Sequence, residues 1–207
     1  MWNNYLPNSI TLHDVAFWVD GMGTGDRKDG TAYTFTDTAE GVEIFAGKAI
    51  TFDGTSAQVT VGNTAKDIKT IVAWVNATSA SEALIDLDGS ADISIVSNNV
   101  VATGWTTPSI YTNDLENITI ETGEWTLISV TSDTGITASA VEIGLVGASF
   151  MEGSMTQIIG FTKALTQVEI NQIFWNGLSS VTSGFSVVYD DAVNIVWDDA
   201  GTKVYAE

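Results

Sequence analysis

Lys48-Ala49-Ile50-Thr51-Phe52-Asp53-Gly54, followed closely by Gln58-Val59-Thr60-Val61, is the stretch whose reading decides the fold. Apolar side chains recur at every second position (Ile50 and Phe52, then Val59 and Val61), and Asp-Gly closes the first run, so both read as half-buried antiparallel strands joined through a tight turn. The same period of two recurs outward along the chain, in Thr70 to Val75, Ala83 to Leu87, Ile93 to Ser97, Asn117 to Glu121, Glu124 to Thr131 and Ser154 to Phe161. These segments are rich in Thr, Val and Ile and are separated by Gly, Asn and Asp. Only the segment that opens with Thr166-Gln167-Val168-Glu169 reads as helix: Thr and Glu form a capping box, Ile170, Ile173 and Phe174 share one face, and Gly177 is expected to stop the helix. Many short strands and one late helix predict an all-β, two-sheet antiparallel jelly-roll sandwich rather than a βαβ protein.

Composition agrees with one packed body. The chain has 207 residues, 44% hydrophobic and 16% charged, which suits a single sandwich burying about 70% of its unfolded surface. Acidic residues number 26 against 7 basic ones, for a net charge of -19. Such a surface repels phosphate backbones and anionic lipid, so neither nucleic acid nor a membrane is expected as a direct partner. The absence of cysteine excludes disulfides, thiolate metal sites and cysteine nucleophiles. No run near Met1 reads as a signal peptide and no transmembrane stretch appears later, so with Met1 as the start no export signal is expected.

Residues 1-177 read as the sandwich and 178-207 as a hairpin extension. Phe185, Val187 and Tyr189 alternate along one arm, Val193, Ile195 and Trp197 along the other, with Asp190-Asp191 as the turn. Apolar groups of this size demand cover, either from the sandwich or from a partner. Phe185, Tyr189, Ile195 and Trp197 are therefore the expected assembly contacts, and a homo-oligomer is expected.

Taken in order, the motifs resemble those of laminin-G-like domains in the concanavalin-A-like superfamily. An aromatic strand, Val15-Ala16-Phe17-Trp18, leads to Gly25-Asp26-Arg27-Lys28-Asp29-Gly30, similar to that family's Asp-Ser-Ser-Gly-Asn-Gly loop. Lys48 to Gly54 resembles its Lys-Ala-Leu-x-Phe-Asp-Gly strand, Ile71-Val72-Ala73-Trp74-Val75 its central strand, and Gly123-Glu124-Trp125-Thr126 its Gly-x-Trp-Thr entrance. Ile143-Gly144, Phe150-x-x-Gly153-Ser154-Met155 and Phe161 to Ile170 resemble its closing strand, turn and helix. The likeness spans about residues 15 to 177, and each motif has a structural reason, so it implies a fold and leaves activity open. Between Trp125 and Ile143 the chain is too short for the usual further hairpin pair, which predicts a shortened sheet.

Candidate chemistry is sparse. His13 is the single histidine and no Gly-x-Ser-x-Gly elbow exists, so serine hydrolysis has no framework, and His13 is read as a polar strand-edge residue. The superfamily resemblance implies glycosidases, whose two carboxylates flank the scissile bond. Strand alternation would put Asp86 and Asp88 on one face with Glu82, but the following Glu of the glucanase motif is missing, and Asp88-Gly89 reads better as a hairpin turn. The resemblance also implies calcium at a loop rim, where Asp86, Asp88 and Asp92 form one acidic cluster and Asp114 and Glu116 another. Trp105 and Tyr111 flank Pro108 in an irregular stretch, where projecting rings would stack on a sugar.

Two classes of function emerge. The first expectation is a non-enzymatic virion surface protein, a capsid decoration or tail-associated component of a bacteriophage, partnered by other capsid proteins. The alternative is a carbohydrate-binding, lectin-like module acting outside the cell on surface glycan, with a degenerate glycoside hydrolase as a distant third.

Overall fold

The computed structural model describes residues 6-7, 9-11, 13-19, 33-44 and 47-179. The expected terminal hairpin, with Phe185, Tyr189, Ile195 and Trp197, and the loop Gly25 to Gly30 lie outside these residues. In chain order the strands are β1 (Val15–Val19), β2 (Thr34–Thr36), β3 (Ala39–Ile44), β4 (Gly47–Asp53), β5 (Gln58–Gly62), β6 (Asp67–Ala77), β7 (Glu82–Asp86) and β8 (Asp92–Val96). They continue as β9 (Asn99–Thr103), β10 (Ser109–Thr112), β11 (Leu115–Glu116), β12 (Trp125–Thr137), β13 (Val141–Ile143), β14 (Leu145–Val146), β15 (Ser149–Phe150) and β16 (Glu152–Phe161), before the helix α1 (Gln167–Ser179).

The strands form an antiparallel β-sandwich. One sheet runs β11-β10-β12-β6-β16-β4-β3, with β1 pairing on β16 beyond the end of β4; the other runs β2-β5-β13-β7-β8-β9. Along β6 alternation separates two apolar layers: Ile71, Ala73 and Val75 face the second sheet, while Val72 and Trp74 face the other way. The inner layer unites Phe17, Phe52, Val59, Ile85, Ile93, Val130 and Ile158 as the core between the sheets. The outer layer packs Val72, Trp74, Leu127, Ile159 and Phe161 beneath Ile170 and Ile173 of α1. One face of the larger sheet is thus covered by the helix. The stretch from Trp125 to Ile143 holds no further hairpin; β12 fills most of it as one long strand, broken in register between Thr131 and Ile136, and the chain then crosses to β13 in the other sheet.

The capping box forms as its residues predict. Thr166 N–H donates to Glu169 Oε2 at 3.0 Å, and Glu169 N–H donates back to Thr166 Oγ1 at 3.3 Å. The same buried carboxylate receives Lys163 Nζ at 2.5 Å and Ser9 Oγ at 2.6 Å, which ties the helix start to the N-terminal segment. Burial would raise the Glu169 pKa, but the bonds from Lys163, Ser9 and Thr166 outweigh it and lower it to about 2.

Two expectations fail for identifiable reasons. Gly177 does not stop the helix, which runs through it to Ser179. A Cβ there would lie 3.0 Å from Trp74 Nε1, so this glycine answers a close approach of helix to sheet. Asn117 to Glu121 is not a strand either. It makes one bridge, Asn99 with Thr119, and bonds to its neighbours through Val100 N–H to Ile118 O and Ile120 N–H to Asn98 O. Asn117 Oδ1 accepts from Ile118 and Thr119 N–H, and this local bonding competes with a ladder.

Candidate functional site

Among the described residues, the second sheet offers the open face, since α1 packs on the other one. One residue from each of its six strands stands in register across it: Thr34, Thr60, Glu142, Asp86, Asp92 and Thr103. The adjacent row, Phe35, Val59, Ile143, Ile85, Ile93 and Ala102, belongs to or packs on the core. Because side chains alternate, the apolar row fixes the polar one outward. Thr34 and Thr103 at its ends are exposed and the four between them half-buried. With neighbouring strands about 4.8 Å apart, the row is about 24 Å long, with no apolar side chain in it.

Three carboxylates adjoin at its centre. Thr60 Oγ1 donates to Glu142 Oε2 at 2.8 Å. Burial raises the Glu142 pKa above the ordinary carboxylate range, the Thr60 bond opposes this, and the negative Asp86 beside it adds to the rise. Asp86 Oδ1 accepts the amides of Asp88 and Gly89 at 3.0 and 2.6 Å, and Asp92 Oδ1 accepts Ser94 Oγ at 2.8 Å. Oxygen acceptors therefore dominate the middle of the face.

The residues singled out for calcium sit at two separate hairpins, β7–β8 and β10–β11. Asp88 lies beyond the end of β7, and its Oδ1 accepts Ser90 and Ala91 N–H at 2.8 and 2.7 Å, closing the β7–β8 hairpin. Asp86 and Asp88 thus cap successive turns and form no carboxylate pair. Glu82 leaves that face altogether: a register shift between Ala83 and Ile85 turns it inward, where it accepts Glu152 N–H at 2.7 Å. Asp114 stands in the β10–β11 turn and Glu116 on the exposed β11. Among the described residues no three acidic or histidine side chains are grouped so as to hold a metal ion.

The two aromatic candidates do not project outward. Trp105 and Tyr111 are each only 8% exposed. The Gly104 backbone runs against Ser90 and Ala91, and Ser132 Oγ anchors the loop by donating to Thr106 O at 2.6 Å. Trp105 is folded into the core between the sheets, whereas Tyr111, opposite Ser129 on β12, joins the layer under α1. Irregular backbone did not mean exposed side chains here, because burying rings of this size outweighs leaving them in water. The row on the second sheet is invisible to the sequence alone, since it exists only through cross-strand register; the separate signals are Thr60, Asp86, Asp92 and Glu142 at polar positions of alternating strands.

No family model matches the sequence, and no curated protein matches it. Among solved structures it is similar to domain 4 of AbnA, a GH43 extracellular arabinanase from Geobacillus stearothermophilus, solved in complex with arabinotriose. The TM-score is 0.55 at 13% identity, over 77% of this chain and 98% of that domain. It is also similar to the botulinum neurotoxin type G receptor binding domain, with a TM-score of 0.53 at 11% identity over 78% of this chain. This chain spans about half of that domain, with 51% covered. The likeness is one of fold. It places the chain among β-sandwiches that include carbohydrate-binding and receptor-binding domains.

Proposed function

We propose that this chain is a non-catalytic carbohydrate-binding module that holds its glycan across the outer face of the six-stranded sheet. The unbroken polar row from Thr34 to Thr103 carries the reading. Its carboxylates and hydroxyls accept hydrogen bonds from sugar hydroxyls, and a rigid sheet presents them in a line that suits several consecutive sugar rings. The helix fills the corresponding face of the larger sheet. A domain of the same fold holding arabinotriose supports the reading by analogy, and action outside the cell belongs to the proposal. The virion reading gains no such support, and the assembly contacts expected with it, Phe185, Tyr189, Ile195 and Trp197, lie outside the described residues.

The test is a glycan array and then calorimetry with the full chain and with Thr103→Arg, which lays a long cationic side chain over the end of the row. A neutral oligosaccharide bound by the parent and weakened at least about tenfold by Thr103→Arg, at unchanged melting temperature, is expected; a ten-fold loss corresponds to about 1.4 kcal/mol. Binding that ignores the substitution refutes the placement, and an empty array refutes the function.

A second reading has one observation in its favour. Glu142 has a raised pKa and faces Asp86 across neighbouring strands, where Cβ atoms stand about 4.5 to 5.5 Å apart, near the carboxyl spacing of a retaining glycosidase. Asp86 is nevertheless engaged by two backbone amides, which leaves it a poor nucleophile. Sugar release by the parent that Glu142→Gln abolishes would favour hydrolysis over binding.

A further inference from the structure

The chain carries seven basic residues against 26 acidic ones, and its single histidine is His13. Three lysines have described side chains: Lys66, Lys69 and Lys163. Lys163 is neutralised by Glu169 at 2.5 Å. The other two form no ion pair among the described residues, and they line one cleft of about 630 Å³ together with His13, Asp67, Ser139 and Thr162. The cleft lies at the same end of the sandwich as the β7–β8 hairpin turn, where Ala140 N–H donates to Leu87 O, Asp67 of β6 pairs with Thr137 of β12 and the segment before β1 comes alongside. In a molecule of net charge -19, two ammonium groups against one carboxylate in a single cleft is a local reversal of sign.

We infer that this cleft is a second binding site and takes a saccharide bearing one carboxylate. The ammonium groups of Lys66 and Lys69 receive the carboxylate. Asn63, Asp67, Thr137, Ser139 and Thr162 add an amide, an acceptor and three hydroxyls to the lining, which suits a ligand covered in hydroxyl groups rather than an apolar peptide or a base that must stack. Asp67, whose Oδ1 already accepts Thr137 Oγ1 at 2.7 Å, accepts a sugar hydroxyl and repels a doubly charged phosphate. The surrounding negative charge penalises polyanions in the same way, so a single carboxylate is the anion the cleft favours. The saccharide part of this inference rests on the glycan-binding reading; the carboxylate part rests on the lysines alone.

The test uses trisaccharides of two neutral sugars and a single terminal galacturonate or glucuronate, together with their methyl esters, titrated calorimetrically into the full chain and into the Lys66→Gln/Lys69→Gln double variant. The acid forms are expected to bind the parent about three- to tenfold more tightly than the esters, as two exposed ion pairs allow. That preference should vanish in the double variant and shrink as salt is raised from about 20 to 300 mM. Acid and ester binding alike, or a preference that survives the double substitution, overturns the inference. Esters or neutral sugars that still bind, and are still displaced by Thr103→Arg, would leave the sheet-face reading standing while this one falls.

Discussion

Replacing Glu169 with Gln removes one carboxylate that serves three parts of the fold at once: the capping box through Thr166, the ion pair with Lys163 and the tether to Ser9. Its pKa of about 2 lies below the ordinary value of 4.5, so the ionised form favours the folded state. Because the folded value is the lower one, this contribution is present in full above pH 4.5 and is lost as pH falls towards 2. A shift of that size corresponds to roughly 3 kcal/mol, and about 2 kcal/mol of it disappears between pH 7 and pH 3. The variant should therefore unfold at lower urea than the parent at pH 7, by roughly 2 to 3 kcal/mol, and the gap should close by about 2 kcal/mol at pH 3. Urea melts followed by tryptophan fluorescence at four or five pH values give the comparison directly. A gap that stays constant with pH would refute the reasoning, because it would mean that Glu169 acts through packing and not through its charge.

Gly177→Ala should destabilise by about 1 kcal/mol, although alanine normally improves a helix by about that amount, since the new methyl meets the buried Trp74 ring; a higher urea midpoint would show that the helix does not press on the sheet there. Trp105→Ala should lower stability by about 3 to 5 kcal/mol as a core truncation and leave glycan affinity unchanged in whatever protein remains folded; a stable variant that loses affinity would restore the stacking role. Millimolar calcium should not move the melting temperature, because Asp86 and Asp88 spend their Oδ1 atoms on hairpin amides. A clear upward shift would return metal to those loops.

Local chemistry explains which features could be read from the chain. The β4 strand, the Asp53 turn and the Thr166 capping box each depend on residues within a few positions of one another, so the sequence displays them. Asp53 accepts Thr55, Ser56 and Ala57 N–H, and those bonds hold its carboxyl well below the usual range. Gly177 misled because a glycine near a helix end usually marks a stop, and here the cause is a tryptophan 103 residues earlier. Trp105 misled in the same way: it is buried in a core gathered from strands far apart in the sequence, and nothing local reports that. The acidic residues around Asp88 were separable, since Asp-Gly in a hairpin has its own turn chemistry, but the junction of Asp86 with Glu142 needed a third strand. Sites built across strands are hidden from a one-dimensional reading in proportion to the sequence distance they bridge.

The strict division of the second sheet into an apolar row and a polar row has a consequence for how such a surface changes. Each outward position sits on a different strand, and its neighbours in sequence are anchored in the core, so a substitution at Thr34, Thr60 or Thr103 alters the face without disturbing the layer behind it. Ligand preference can drift one strand at a time while the scaffold stays fixed. The same architecture then accommodates relatives with little sequence in common, and for a designer it is a six-letter surface in which Thr34 and Thr103 can be exchanged singly, while Thr60 and Glu142 change as a bonded pair.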